Sequence, residues 1–326
     1  MDIRFFNLFL VACAVFLLPS PVPVHAQAAL DEATSISLIS NPEYPAPYSS
    51  VIISLDAYTI NTTGASILWY INNVEQKQVQ NARSIEIKTG ALGEKQTIQT
   101  KILRTNLPPL TLSTVIVPTD IDIVLEASTY VPVFYKGRAL PSENTTVRAI
   151  AIPHTKVSVL PSTYTYEWKY NDTVLLGGPI KGKQVIEFTM PRYEDDILSV
   201  TVIDDSGNAI GKKNILLTPA RPEFHFYEEN PLRGLNQKTI QDPYTLVGEE
   251  VTIHAEPYFM NTDLTARTAI FEWSVDGVAA PVQADPHTIT LRHTGGSGKT
   301  YLDVTALTTQ RIPQYAKSAL TIFFNN

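Results

Sequence analysis

Ile67-Leu68-Trp69-Tyr70-Ile71-Asn72-Asn73, Tyr166-Glu167-Trp168-Lys169-Tyr170-Asn171-Asp172 and Phe271-Glu272-Trp273-Ser274-Val275-Asp276-Gly277 are one pattern met three times. Each is a run alternating about a tryptophan, closed by a turn dipeptide at the third and fourth positions beyond it. The tryptophans, the only 3 in the chain, lie 99 and 105 residues apart. A repeat of that length is too long for a solenoid unit and suits a small domain.

Working outward, further period-two strands flank each tryptophan. Val51, Ile53 and Leu55 precede the first; Val147, Ala149 and Ala151 the second; Val251, Ile253 and Ala255 the third. Ile98, Thr100 and Ile102, then Leu198, Val200 and Val202, then Leu302, Val304 and Ala306 follow them. Alternation marks strands with one face on a core and one in water. Turn signals separate them: Gly177-Gly178-Pro179, Asp204-Asp205-Ser206-Gly207-Asn208, Gly295-Gly296-Ser297-Gly298 and Asn61-Thr62-Thr63-Gly64. The expected fold is all-β, three tandem β-sandwiches. Closing strands that end near Val117, Leu217 and Phe324 predict domains over 31–119, 120–219 and 220–326. Pro118, Pro219 and Pro222 stiffen the joints.

The N-terminus predicts export. Arg4 precedes a mostly apolar stretch from Phe5 to Leu18, and Val24-His25-Ala26 offers a small-x-small exit. This is the plan of a signal peptide over 1–26, and the stretch falls short of the ~20 residues a spanning helix needs. Retention as an anchor, or lipidation at Cys13, stays open. Cys13 is the only cysteine, so a processed chain holds no disulfide and no thiol chemistry. A secreted chain of such domains without cysteine points to a bacterial origin. The net charge is −7, and the three expected domains carry −1, −2 and −4. None is basic, so nucleic acid is not an expected partner. No later apolar run approaches membrane length.

Tyr164 to Trp168, with Leu198-Ser199-Val200-Thr201-Val202-Ile203-Asp204-Asp205-Ser206-Gly207-Asn208 beyond it, resembles the PKD branch of the immunoglobulin-like domains of bacterial surface proteins. Phe271 to Gly277 resembles the equivalent central strand and turn, and Leu68 to Asn73 the same element in the first repeat. The family's usual Gly-Asp-Gly turn is approached only by Asp276-Gly277. The resemblance implies tandem Ig-like, PKD-related sandwiches with an extracytoplasmic spacer, adhesion or interaction role, and it implies no catalytic residue.

No motif points to an enzyme or to a cofactor. Gly295 to Thr300 has the look of a phosphate loop, but His293 stands where its first glycine belongs, and a strand follows instead of a helix. Glu194-Asp195-Asp196 and Asp204 to Asn208 offer oxygens for Ca²⁺, as do Asp120, Asp122, Glu228 and Glu229 near the joints, without a calcium-loop spacing. The histidines are dispersed; His287 and His293 are expected on adjacent strands of one hairpin. Tyr44, Tyr48, Tyr130, Phe134, Tyr135, Tyr227, Tyr244, Tyr258 and Phe259 gather near domain entrances, where they either pack the joints or grip a partner. The expected function is a non-enzymatic scaffold, spacer or adhesion protein that binds other envelope or surface proteins through sheet edges or end loops. The alternative is a carbohydrate- or polymer-binding accessory protein, with surface glycans as partners.

Overall fold

The structure, a computed structural model, describes residues 36–57, 64–156, 159–193, 196–262, 269–308 and 313–324. The expected signal peptide, Cys13, His25, Asn61-Thr62-Thr63 and Glu194-Asp195 lie outside the described residues.

The first sandwich comprises β1 (Ser37–Asn41), β2 (Ser50–Asp56), β3 (Ser66–Ile71), β4 (Val74–Glu75), β5 (Ser84–Lys88), β6 (Gln96–Leu103) and β7 (Leu110–Ile116). Its two sheets run β1-β2-β5 and β4-β3-β6-β7. The second comprises β8 (Asp120–Ala127), β9 (Thr146–His154), β10 (Thr165–Tyr170), β11 (Thr173–Val174), β12 (Ile180–Lys181), β13 (Val185–Thr189), β14 (Asp196–Ile203) and β15 (Ala209–Leu217). Its sheets repeat that order as β13-β9-β8 and β11-β10-β14-β15, with β12 also paired to β10.

The third sandwich comprises β16 (Glu223–Asn230), β17 (Gly234–Thr239), β18 (Tyr244–Leu246), β19 (Glu250–Tyr258), β20 (Ala269–Val275), β21 (Val278–Ala279), β22 (Thr288–Arg292), β23 (Gly298–Thr308) and β24 (Tyr315–Phe324). Its sheets run β17-β16-β19-β22 and β18-β24-β23-β20-β21. The shared core of three strands facing four is the Ig-like arrangement. The third copy adds β17 beside β16 at the edge of one sheet and β18, parallel to β24, at the edge of the other sheet. The chain divides into two compact units: Met1–Gly90 with Glu94–Val117, and Ala91–Gly93 with Pro118–Asn326. The second unit therefore holds two sandwiches, each with its own apolar core.

The tryptophans hold equivalent places. Trp69 pairs with Thr100, Trp168 with Val200 and Trp273 with Val304, each on the penultimate strand of the larger sheet. Their relative exposures are 0%, 1% and 5%. Each indole N–H donates at 2.9 Å to a backbone carbonyl just before the strand that follows in the facing sheet: Ala82, Lys183 and Pro286. The ring thus fills the core while its polar atom ties the two sheets.

The turn dipeptides are also explained. Asn72 and Asn73 (φ 48° and 67°), Asn171 and Asp172 (44° and 63°), and Asp276 and Gly277 (51° and 77°) all have the left-handed backbone of a type I′ hairpin turn. The first residue of each pair has a second task. Its side-chain oxygen accepts the backbone N–H of Thr97 at 2.8 Å, Ile197 at 2.7 Å or Tyr301 at 2.9 Å, locking the turn onto the neighbouring strand. Alanine at Asn72 or Asn171 loses the acceptor and strains the turn, an expected cost of about 1–3 kcal/mol. Glycine keeps the dihedral and should cost less. Urea midpoints equal to wild type for both alanine variants would contradict this clamp.

Candidate functional site

The buried chemistry of the second unit gathers where its two sandwiches meet. The connection between β8 and β9, residues 128–145, is longer than the ~12–15 residues usual for a loop without regular structure. It lies along the segment after β19. Tyr130 N–H donates to Met260 O at 2.6 Å, Phe259 N–H to Tyr130 O at 2.8 Å, and Thr262 N–H to Ser128 O at 3.2 Å. Beside this short antiparallel ladder, Ala220 N–H donates to Pro141 O at 2.8 Å. Tyr227, Tyr258 and Phe259 form a buried aromatic cluster against Val131, Phe134 and Tyr135. The ring pairs Phe134–Tyr227 and Tyr135–Tyr258 meet edge to face at 5.4 and 5.3 Å.

Gln314, just before β24, is fully buried, and its amide is satisfied on both atoms. Nε2 donates to Glu143 O at 2.7 Å and Ser142 Oγ at 3.1 Å, while Oε1 accepts from Asn261 N–H at 2.8 Å. One side chain therefore joins both partners of the joint.

Glu256 on β19 is 7% exposed. It accepts a hydrogen bond from the Tyr130 hydroxyl across the joint, and its second oxygen lies 2.7 Å from His254 Nε2. His254 Nδ1 lies 3.2 Å from Glu229, and its ring stacks on His287 at 5.7 Å. A carboxylate only accepts, so a His254 ring protonated on both nitrogens satisfies both contacts and sits as an imidazolium between two anions. Burial alone lowers its pKa, but the bonds and charges of Glu256 and then Glu229 outweigh that and raise it above 6.5. Burial raises that of Glu256, but the His254 and Tyr130 bonds outweigh that and bring it below 4.5.

The signs set a window. The raised His254 contributes stability that is complete below about pH 6.5 and lost as pH rises through its folded pKa. The lowered Glu256 contributes stability present above about pH 4.5 and lost as pH falls through its folded pKa. The second unit should melt highest between these limits, and His254→Gln should flatten the alkaline fall. Melting temperatures that rise from pH 6 to pH 9 in the wild type would contradict this arrangement.

A shallow cleft of about 230 Å³ opens beside the joint, walled by Phe134, Tyr135, Lys136, His225, Gln237 and Thr239 over buried Tyr227 and Tyr258. The β17 register shifts between the pairings of Tyr227 and Glu229, and such irregularities re-aim side chains. A Cβ at Gly137 would fall 2.3 Å from the Tyr135 ring, so a side chain there displaces one wall.

The expected aromatic gathering thus resolves mainly into packing: Tyr130, Phe134, Tyr135, Tyr227, Tyr258 and Phe259 belong to the joint. Tyr244 packs on the third core and donates to Glu228 at 2.5 Å, whereas Tyr48 stays exposed. His287 and His293 do not share a hairpin; they flank β22, one beyond each end. His287 faces His254, and His293 lies 4.7 Å from the Phe324 ring. Gly295 to Gly298 joins β22 to β23 as a loop that enters a strand.

Most of the oxygens considered for Ca²⁺ have other partners. Asp204 Oδ1 accepts the Ser206 and Asn208 N–H groups at 2.9 Å, Asp205 meets Lys181 at 2.7 Å, and Asp122 meets His154 at 3.0 Å. Among the described residues no group of three or more His, Cys, Asp or Glu is placed to hold a metal ion. Among them, too, no helix is long and apolar enough to cross a membrane. Sequence reasoning missed Gln314 and Glu256. The only signal for them was an unusually long connection opposite the apolar Phe259-Met260 pair.

No family model matches the chain, and no curated protein matches it. Solved structures do. The three N-terminal domains of the bacteriophage RB49 Highly Immunogenic Outer Capsid protein share 9% identity over 89% of this chain and 98% of that one, with a TM-score of 0.23. The central fibronectin-III array of RIM-binding protein shares 14% over 89% and 96%, with a TM-score of 0.30. A Bacteroides ovatus SGBP-B of a mixed-linkage glucan utilization locus, solved with a heptasaccharide, shares 12% over 86% of this chain and 65% of that one, at 0.24. None of these likenesses carries an argument about ligand or role. The strand orders and registers define the architecture.

Proposed function

We propose that the chain is a non-enzymatic extracytoplasmic scaffold, spacer or adhesion protein of Ig-like, PKD-related modules that binds other envelope or surface components. The observation that carries this reading is where the buried polar groups of the joint are spent. Gln314 and Glu256 would be candidate reactive or ligating groups in an open cleft; here every contact described for them holds backbone or side chains in place. Export to the periplasm or cell surface follows from the 1–26 segment. N-terminal sequencing of the exported protein should begin at Gln27, and a start at Met1 would contradict that processing.

To test the role, the full chain is immobilised and challenged with the producing cell's envelope fraction and, separately, with a glycan array. Saturable capture of an envelope protein supports the scaffold, and its absence overturns it. A second reading, binding of a surface glycan, is favoured by the joint cleft, where the Tyr135 ring stands beside Lys136 and Gln237. Array binding that is lost on Tyr135→Ala would shift the assignment to it.

A further inference from the structure

The three copies of the tryptophan strand differ at one point, its outer edge. The backbone groups of each tryptophan face that edge: the carbonyls of Trp69, Trp168 and Trp273 accept from Gln76, Leu175 and Ala280 N–H, each at 2.8 Å. In an antiparallel strand the residue two positions earlier faces the same way. In the first sandwich that residue is Ile67, and Asn81 satisfies it twice: Asn81 Oδ1 accepts its N–H at 3.1 Å, and Asn81 N–H donates to its carbonyl at 2.8 Å. In the second it is Tyr166, which β12 covers through Ile180. In the third it is Phe271, and among the described residues nothing pairs with its backbone on that side.

The cause is local. β21 ends at Ala279, and the return to β22 holds Pro281 and Pro286, which have no N–H to donate. Gln283 turns its Nε2 back to Pro281 O at 2.6 Å, and Val282 stands 101% exposed. A trough of about 640 Å³ opens beside the bare edge and extends over the outer face of the sheet at Asp303, Thr305 and Lys317. Phe271 and Trp273 line it, with Pro281 and Pro286, and three charges contribute to its rim. Lys317 is paired with Asp303 at 3.3 Å, whereas Glu272 is exposed with no ion-pair partner among the described residues.

We infer that this edge is a docking site for an extended peptide segment of a protein partner, added antiparallel to β20 at Phe271 in the place that β12 fills in the second sandwich. An unpaired edge supplies main-chain hydrogen bonds, and alternate side chains supply selectivity. The segment places an apolar residue opposite Phe271, as Ile180 stands opposite Tyr166. It places a basic residue opposite Glu272, because directly paired residues project from the same face of a sheet. This deepens the scaffold reading and rests on it.

Random heptapeptides displayed on phage are selected on the full chain, and amide exchange is read with and without the recovered peptides. In the free protein the Phe271 amide should exchange quickly, while those of Ile67 and Tyr166 exchange slowly. Recovered peptides should carry the apolar–basic pair, protect Phe271, and bind about tenfold more weakly to Glu272→Gln. Slow Phe271 exchange in the free chain, peptides that leave Phe271 unprotected, or no peptide recovered would each overturn the inference. Protection that grows with protein concentration alone would assign the edge to a second copy and overturn it as well. Repeating the envelope capture with E272Q separates the two readings. Capture lost only in the variant supports the edge. Capture that survives it removes the edge and leaves the scaffold, and no capture by either protein removes both.

Discussion

Alanine in place of Trp69, Trp168 or Trp273 should destabilise the unit that contains it by at least about 3 kcal/mol. Two losses add. An indole buries ~150–250 Å², roughly 4–6 kcal/mol of gross apolar transfer at ~25 cal/mol per Å². The carbonyl of Ala82, Lys183 or Pro286 also loses its donor, which costs about 1–3 kcal/mol when such a group is left buried and unpaired. Phenylalanine separates the two, since it restores much of the area and none of the hydrogen bond. The effect should also respect the division of the chain. Trp69→Ala lowers the first unit alone, whereas Trp168→Ala and Trp273→Ala lower the same transition of the second. Denaturant midpoints followed by circular dichroism check this. Three variants that melt like the wild type would show that the rings are not core.

Gln314→Leu should be the most damaging single change at the joint, at about 2–5 kcal/mol. Leucine is close in size, so the loss isolates hydrogen bonding. Asn261 N–H, Glu143 O and Ser142 Oγ all lose a partner in a buried site. The expected signature is loss of cooperativity between the second and third sandwiches, with one melting transition splitting into two. Ser142→Ala, which removes a single 3.1 Å contact, should cost about 1 kcal/mol and leave one transition. A Gln314→Leu protein that melts as the wild type would mean the joint is held by aromatic packing alone.

Much of the architecture was readable because it is written at short range. Ile67-Trp69-Ile71 and its two counterparts alternate inside single strands, and period two survives any tertiary context. Asn72-Asn73 and Asp276-Gly277 announce a hairpin because few other residues tolerate the left-handed backbone. What escaped depends on pairings between distant segments. The indole acceptors lie one strand connection away on irregular backbone, where no side-chain pattern marks a carbonyl. The edge strands β17 and β18 carry weak alternation; Leu235-Asn236-Gln237-Lys238 reads as loop, and Tyr244-Thr245-Leu246 is too short to read at all.

The joint was hidden for the same reason. Gln314 and Glu256 are ordinary surface residues by composition, yet both are buried and bonded to residues 128–145 of the neighbouring sandwich. His287 and His293 are not on adjacent strands of a hairpin, because β22 fills the interval between them as a single strand and they flank its opposite ends. The bare edge at Phe271 is a difference between copies. Only the structure shows that Asn81 and Ile180 cover its equivalents.

Scanning calorimetry of the full chain tests the central claim most directly, that the last two sandwiches share one satisfied joint and act as one body. Unfolding enthalpy scales with length at ~0.7 kcal/mol per residue near 60 °C. The account predicts two transitions, the second-unit peak carrying about twice the enthalpy of the first-unit peak. Three separate transitions of similar enthalpy would contradict it.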